Sequence, residues 1–178
     1  MLAPNFSLPD QDGITHTLEQ YKGKWIVMYF YPKDATLWCT KEACSFRDGR
    51  QILEDAGAVV LGVSKDSVAS HKKFATAHKL NFTLLSDTST ETIQAYGAWG
   101  KKKFMGREYM GINRNTYLIN PKGEIVKTYE GVNPLTHVGE VLKDLSEFSR
   151  WSRLSMTVRA SAGMSTVPKR FIRFLPLA

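Results

Sequence analysis

Residues 25–48 read WIVMYFYPKDATLWCTKEACSFRD, and this stretch decides the fold. It opens with a continuous β-branched and aromatic run, Trp25–Tyr31, which predicts a strand buried on both faces. A proline and several polar residues follow, and Thr36 then stands where a helix N-cap is expected. A buried strand that leads directly into a helix is the first half of a βαβ unit.

The same alternation of apolar runs and amphipathic segments continues to about residue 148. A helix over Ser67–Lys79 separates the next two predicted strands, and a tight turn at 120–123 joins the last two. The predicted strands after the first are Ala58–Ser64, Phe82–Asp87, Asn115–Ile119 and Glu124–Tyr129. A βαβ half followed by a ββα half predicts an α/β, thioredoxin-like fold, with a central mixed sheet flanked by helices.

Three local signals refine this outline. Asp12-Gly13 predicts a small hairpin that extends the fold at its N-terminus. Thr88 and Glu91 have the spacing of a capping box, which predicts a short helix after the third strand. Asn133-Pro134 predicts the start of a closing helix, because Pro is favoured at the first helical position.

The positive charge of the chain is concentrated in its last residues. The net charge is +7, but residues 150–178 contain six basic residues and no acidic one, so residues 1–149 carry only +1. We therefore predict one domain over 1–149 and a basic C-terminal tail over 150–178, which is either disordered or not native. The alternative is a tail that anchors the protein to an anionic surface.

The chain has only two cysteines, Cys39 and Cys44. With Thr36 as N-cap, Cys39 is the third helical residue, where unpaired N–H groups and the positive end of the helix dipole favour a thiolate. In an ideal helix the Cα atoms of residues five apart are about 8.7 Å apart, whereas disulfides rarely exceed about 7 Å. Two unrelated helix cysteines are one interpretation. The other is an attacking and a resolving cysteine that can join only when the first turns of the helix unwind.

These residues carry a family resemblance. Residues 32–39, PKDATLWC, fit the peroxiredoxin motif P-x-x-x-T-x-x-C, and the surrounding FYPKDATLWCTKEACSFRD is similar to the Q-type, or bacterioferritin comigratory protein, subfamily. Further similar segments follow in the same order over about residues 3–148, including LGVSKDS and GINRNTYLI. One departure is that Leu37-Trp38 replaces the Pro-Gly that usually precedes the attacking cysteine.

The resemblance implies a thiol peroxidase that reduces hydrogen peroxide and organic hydroperoxides. Cys39 would be the peroxidatic thiolate and Cys44 the resolving cysteine. Arg114 and Thr36 would hold the thiolate and the peroxide, and Pro32 would shield the pocket. A thioredoxin-type donor would reduce the resulting disulfide, and no metal or organic cofactor would be needed. The implied protein is a monomer without nucleic-acid or membrane partners.

Two other functions stay open on the sequence alone. One is a disulfide oxidoreductase on the same fold, although C-x-x-C is absent, and the other is an interaction module that uses the basic tail. The N-terminus lacks the pattern of a secretory signal, which together with only two cysteines predicts a reducing compartment, with the cytoplasm as default.

Other polar and charged residues have interpretations that involve no role in catalysis or metal binding. Asp34 and Glu42 are predicted to be solvated or helix-start charges, with an ion pair between Glu42 and Arg114 as the alternative. Residues 101–103, three consecutive lysines, are predicted to form a solvated loop. The four histidines share no ligand spacing with each other or with the cysteines, which argues against a zinc or iron site.

Overall fold

A computed structural model describes residues 1–104 and 106–148 of the chain. The strands are β1 (Ser7–Pro9), β2 (Thr15–Thr17), β3 (Trp25–Phe30), β4 (Ala58–Ser64), β5 (Thr83–Ser86), β6 (Trp99–Phe104), β7 (Arg107–Ile112), β8 (Thr116–Ile119) and β9 (Ile125–Tyr129). The helices are α1 (Leu37–Asp55), α2 (Val68–His78), α3 (Glu91–Ala95) and α4 (137–148), with a short 3₁₀ helix at Leu18–Tyr21.

The central sheet has five strands in the order β5-β4-β3-β8-β9. Strands β3, β4 and β5 are parallel to one another, whereas β8 runs antiparallel to both β3 and β9. The predicted thioredoxin-like arrangement with a central mixed sheet is confirmed. Because β3 lies in the middle of this sheet, the loop that leaves its carboxyl end lies between the ends of β4 and β8.

All six residues of β3 are buried, and they divide between two cores. Val27 and Tyr29 pack on one face of the sheet with Phe46 of α1 and Phe74 of α2, and Met28 packs on the other face with the N-terminal segment and α3. Burying a large apolar side chain contributes roughly 1.5–3 kcal/mol. Two cores that share one strand therefore hold the start of α1 firmly relative to the sheet.

Two small two-stranded sheets accompany the central sheet. Strands β1 and β2 pair antiparallel around a turn in which Gly13 has a φ of 82°, so the predicted N-terminal hairpin is confirmed. The prediction that residues 101–103 form a loop is wrong. They belong to β6, which pairs with β7 as a separate two-stranded ribbon, and three lysines in a row concealed this strand because lysine is disfavoured in strands.

Two predicted helix starts need correction. Helix α3 begins at Glu91 with Thr90 as N-cap, so the proposed Thr88 capping box is not formed. The side chain of Asp87 accepts the N–H of Ile93 instead, at 2.8 Å, and so takes the role assigned to Thr88. Asn133 does accept the N–H of Leu135 at 3.0 Å, but regular helix starts only at residue 137.

The predicted basic tail, 150–178, lies outside the described residues. Among the helices within the described ranges, none combines the length and the apolar character needed to cross a membrane.

Candidate active site

Cys39 lies in the first turn of α1. Thr36 is the N-cap, as predicted, so Cys39 is the third residue of the helix. The cysteine is 2% exposed and packs in the core cluster that also holds Tyr29, Tyr31 and Phe46. Its sulfur therefore belongs to the positive end of the helix dipole and is shielded from bulk water, which strengthens any electrostatic interaction that it makes.

Arg114 contacts this sulfur from the loop between β7 and β8. Its Nη2 atom lies 3.2 Å from Cys39 Sγ. The main chain positions the arginine, because the N–H of Phe30 at the end of β3 donates to the carbonyl oxygen of Asn115 at 2.8 Å. The antiparallel pairing of β3 with β8 thus brings residues 75 positions apart into contact.

Glu42, one turn further along α1, binds the other side of the guanidinium. Its Oε2 forms an ion pair with Arg114 Nη1, and the residue is fully buried. The prediction of a solvated charge is wrong, and the alternative pairing with Arg114 is what the structure shows. Burial raises the pKa of Glu42 to about 7, against the opposing charge of Arg114. Arg114 is therefore fixed between a carboxyl group and a sulfur.

Thr36 and Pro32 border the same turn without touching the sulfur through a hydrogen bond. The Thr36 side chain is exposed, and its hydroxyl donates to the carbonyl oxygen of Lys33 at 3.2 Å. Pro32 is half-buried in the loop that leaves β3. The hydroxyl of Thr36 thus stabilises the loop here, and the predicted roles of Thr36 and Pro32 toward a peroxide stay predictions.

Cys44 is apart from the site described above. It is half-buried, both cysteines are free thiols, and α1 runs unbroken through both of them. Ideal helix geometry places their Cα atoms about 8.7 Å apart, beyond the usual limit of about 7 Å for a disulfide. The structure therefore brings together Cys39, Arg114 and Glu42, but leaves Cys44 out of bonding range.

Comparison with known proteins agrees with this geometry. Residues 2–128 match the AhpC/TSA family. Peroxiredoxin Bcp of Bacillus subtilis is 45% identical over 147 residues, which is 83% of this chain and 94% of the relative. Peroxiredoxin Bcp of Escherichia coli K12 is 42% identical over 146 residues, 82% of this chain and 94% of the relative.

The chain is a peroxiredoxin of the AhpC/TSA family.

Solved structures support the same assignment. The structure of Xanthomonas campestris peroxiredoxin Q superposes with a TM-score of 0.78 at 35% identity, over 81% of this chain and 91% of that one. The function that follows from family membership is that of a thiol-dependent peroxidase, and the resemblance to the Q-type subfamily is confirmed.

A surface pocket beside Arg114 escaped the sequence analysis. It is lined by Arg114 together with Lys102, Asn113 and Glu130, among others. Burial and the positive charge of Arg114 lower the pKa of Lys102. Since Lys102 reaches this pocket from the β6–β7 ribbon, no local pattern in the sequence could have placed it there.

Trp38, one of the two residues that replace the usual Pro-Gly, has its side chain at the protein surface. Its side chain is 50% exposed, and the Lys41 ammonium lies 4.7 Å from the centroid of the indole ring. The indole is thus at the surface of the first turn of α1, where its contact with Lys41 links one turn of helix to the next. This contact stabilises the turn that must open before Cys39 can reach Cys44.

Replacing Trp38 by glycine should accelerate disulfide formation between Cys39 and Cys44 by about tenfold, because the substitution removes a cation–π contact and adds the helix cost of glycine. The rate is measured at saturating peroxide by rapid mixing followed by quenching of the remaining free thiols. This readout does not depend on tryptophan fluorescence, which the substitution itself changes. A Lys41→Gln variant isolates the cation–π part and should give a smaller acceleration. Equal rates in Trp38→Gly and the parent protein would contradict the idea.

Proposed function

We propose that Cys39 is the peroxidatic cysteine and that Cys44 resolves the oxidised form within the same chain. The contact of 3.2 Å between Arg114 Nη2 and Cys39 Sγ at the start of α1 supports this assignment most strongly. A guanidinium and a helix N-terminus both stabilise negative charge on sulfur. The substrates are hydrogen peroxide and organic hydroperoxides. This breadth agrees with the alkyl peroxide reduction activity named for the bacterioferritin comigratory protein of Xanthomonas campestris.

The first step consumes the peroxide. The Cys39 thiolate attacks the terminal oxygen of ROOH, an S–O bond forms, and the O–O bond breaks with its electron pair leaving on RO⁻. The sulfur is oxidised to a sulfenic acid that keeps the peroxide's proton, and RO⁻ takes a proton from water to leave as ROH. Arg114 donates hydrogen bonds where negative charge moves from sulfur toward oxygen, which is where a fixed donor lowers the barrier. Thr36 and Pro32 complete the peroxide pocket once the substrate is bound.

The second step requires the helix to open. The Cys44 thiol attacks the sulfenic sulfur, an S–S bond forms, and the sulfenic oxygen leaves as water. Because the intact α1 keeps the two residues too far apart, its first turns unwind before this step. A dithiol reductant of the thioredoxin type then restores both thiols by exchange and is itself oxidised to a disulfide. These steps require no metal or organic cofactor, and all of the residues involved fall within the predicted domain 1–149.

The Cys44→Ser variant tests this division of roles. One equivalent of peroxide should convert both thiols of the parent protein into a disulfide within one chain. The variant should instead stop after a single turnover, with a sulfenic acid on Cys39 that is trapped by dimedone and located by mass spectrometry. A dimedone adduct at no cysteine, or an intermolecular disulfide in the parent protein, would contradict the scheme.

A further inference from the structure

The loop between β3 and α1 contains a carboxylate that the peroxidase scheme does not use. Asp34 is 7% exposed, although the sequence predicted a solvated charge. Its oxygens accept hydrogen bonds from the Tyr31 hydroxyl at 2.7 Å and the Ser70 hydroxyl at 2.7 Å, and they lie 2.9 and 3.1 Å from His71 Nδ1. Although burial alone favours the neutral acid, the bond from His71 and the other donors lower the pKa of Asp34. The carboxylate is therefore a charged and fully satisfied acceptor.

The partners of Asp34 belong to the rigid part of the fold. His71 is completely buried on α2, and its Nε2 faces the carbonyl oxygen of Leu85 on β5 at 3.2 Å. The main chain of Asp34 is held as well, because its N–H donates to Asp66 Oδ2 at 2.9 Å. The same Asp66 oxygen accepts the Ser64 hydroxyl at 2.7 Å, at the end of β4. Side chain and backbone thus fix this one residue to α2, β4 and β5.

The residue after Asp34 has an unfavourable backbone conformation. Ala35 has a φ of 56°, in the left-handed region that a residue with a Cβ seldom adopts. Its side chain is exposed, so no packing of its own explains the conformation. The next residue is Thr36, the N-cap that sets where α1 begins. Such strain persists only where the surrounding structure imposes it. Here the hydrogen bonds that hold Asp34 impose the conformation of Ala35.

We propose that Asp34, held by His71, is a positioning residue that keeps the first turn of α1 in the conformation in which Cys39 reacts with peroxide. The inference rests on the proposed role of Cys39. While Asp34 is held, Ala35 keeps its left-handed conformation, and Cys39 stays against Arg114. When Asp34 is released, Ala35 relaxes to an ordinary conformation and the first turn is lost, which is the change that lets Cys44 approach.

Two competing fates of the sulfenic acid make this role measurable. If the turn opens, Cys44 attacks and the oxygen leaves as water. If the turn stays closed, the sulfenate attacks a second peroxide molecule, gains its terminal oxygen to become sulfinic acid, and releases ROH. Loosening the loop should therefore slow the first reaction with peroxide and favour the disulfide over the sulfinic acid. General damage to the fold would slow both the reaction with peroxide and the attack by Cys44, whereas release of the loop slows the first and speeds the second.

The test compares Asp34→Asn with the parent protein by stopped flow and by mass spectrometry. The second-order rate constant with hydrogen peroxide should fall about tenfold, the size expected when compensation for one strained residue is lost. The fraction of Cys39 converted to sulfinic acid per turnover should fall several-fold. Asp144→Asn is the matched control, since Asp144 also accepts a tyrosine hydroxyl, that of Tyr129 at 2.6 Å, but belongs to α4. It should leave both quantities unchanged.

Rescue by glycine separates positioning from simple destabilisation. Ala35→Gly removes the cost of the left-handed conformation, so Asp34→Asn with Ala35→Gly should recover a large part of the lost rate. The proposal is overturned if Asp34→Asn reacts like the parent, if both steps slow together, or if glycine recovers nothing. If Cys39 of the parent protein does not react with peroxide, the peroxidase scheme itself is wrong.

Discussion

Replacing Cys39 by serine is expected to lower the rate of peroxide reduction by more than about 10³-fold, because an un-ionised hydroxyl is a poor nucleophile at neutral pH. Serine is close to cysteine in size, and the site is packed by Tyr29, Phe46 and Ala43, so the fold should be retained. Peroxide consumption with a dithiol reductant in excess measures the effect. Far-ultraviolet circular dichroism and the melting temperature confirm that the variant is folded.

Cys44→Ser is the natural comparison for this experiment. It leaves the contact between Arg114 and Cys39 in place, so the first reaction with peroxide should proceed at nearly the parent rate. Sustained turnover should then depend on small external thiols. A Cys39→Ser protein that still reduced peroxide rapidly would show that the chemistry resides elsewhere.

The second large effect is expected for Arg114→Met. This change removes the donor that lies 3.2 Å from the sulfur, and the loss of one well-placed donor to a developing charge typically costs about 10²–10³ in rate. The second-order rate constant with hydrogen peroxide, measured under pseudo-first-order conditions, should fall by about this factor. Arg114→Lys keeps the charge but lacks the planar fork whose two nitrogens contact Glu42 and Cys39, and it should give an intermediate loss.

Glu42 complicates the interpretation of Arg114→Met in a way that can be tested. Without the arginine, this buried carboxyl group has no charged partner, and its burial alone favours protonation. The double variant Arg114→Met with Glu42→Gln removes that carboxyl while still lacking the donor. We expect it to regain stability but not rate. Recovery of the rate would mean that Arg114 acts mainly by neutralising Glu42.

Local rules were sufficient for the parts of this site that depend on nearby residues. Thr36 as N-cap, Cys39 in the first turn and the buried β3 all follow from spacing and propensity, and the structure has them as predicted. The burial of Asp34 and Glu42 could not be predicted in this way. Their partners His71 and Arg114 lie 37 and 72 positions away, so whether these charges are solvated is decided only when the helices pack on the sheet.

The prediction for the β6–β7 ribbon was wrong for a different reason. Its lysines are unfavourable in a strand, and the strand forms because each of its residues pairs with one on β7, from Trp99 with Ile112 to Phe104 with Arg107. Composition describes single residues and does not register such pairing. For the same reason, the position of Lys102 in the pocket beside Arg114 could not be predicted, because the ribbon brings it there.

The unbroken course of α1 through both cysteines couples heat tolerance to oxidant tolerance. In the proposed cycle each turnover melts and rebuilds the same helical turns, so the lifetime of the oxidised sulfur follows the local stability of that segment. Cold, osmolytes or stabilising substitutions in these turns prolong that lifetime and expose the enzyme to irreversible inactivation when oxidant is abundant. A more thermostable version of this helix would therefore be a shorter-lived catalyst.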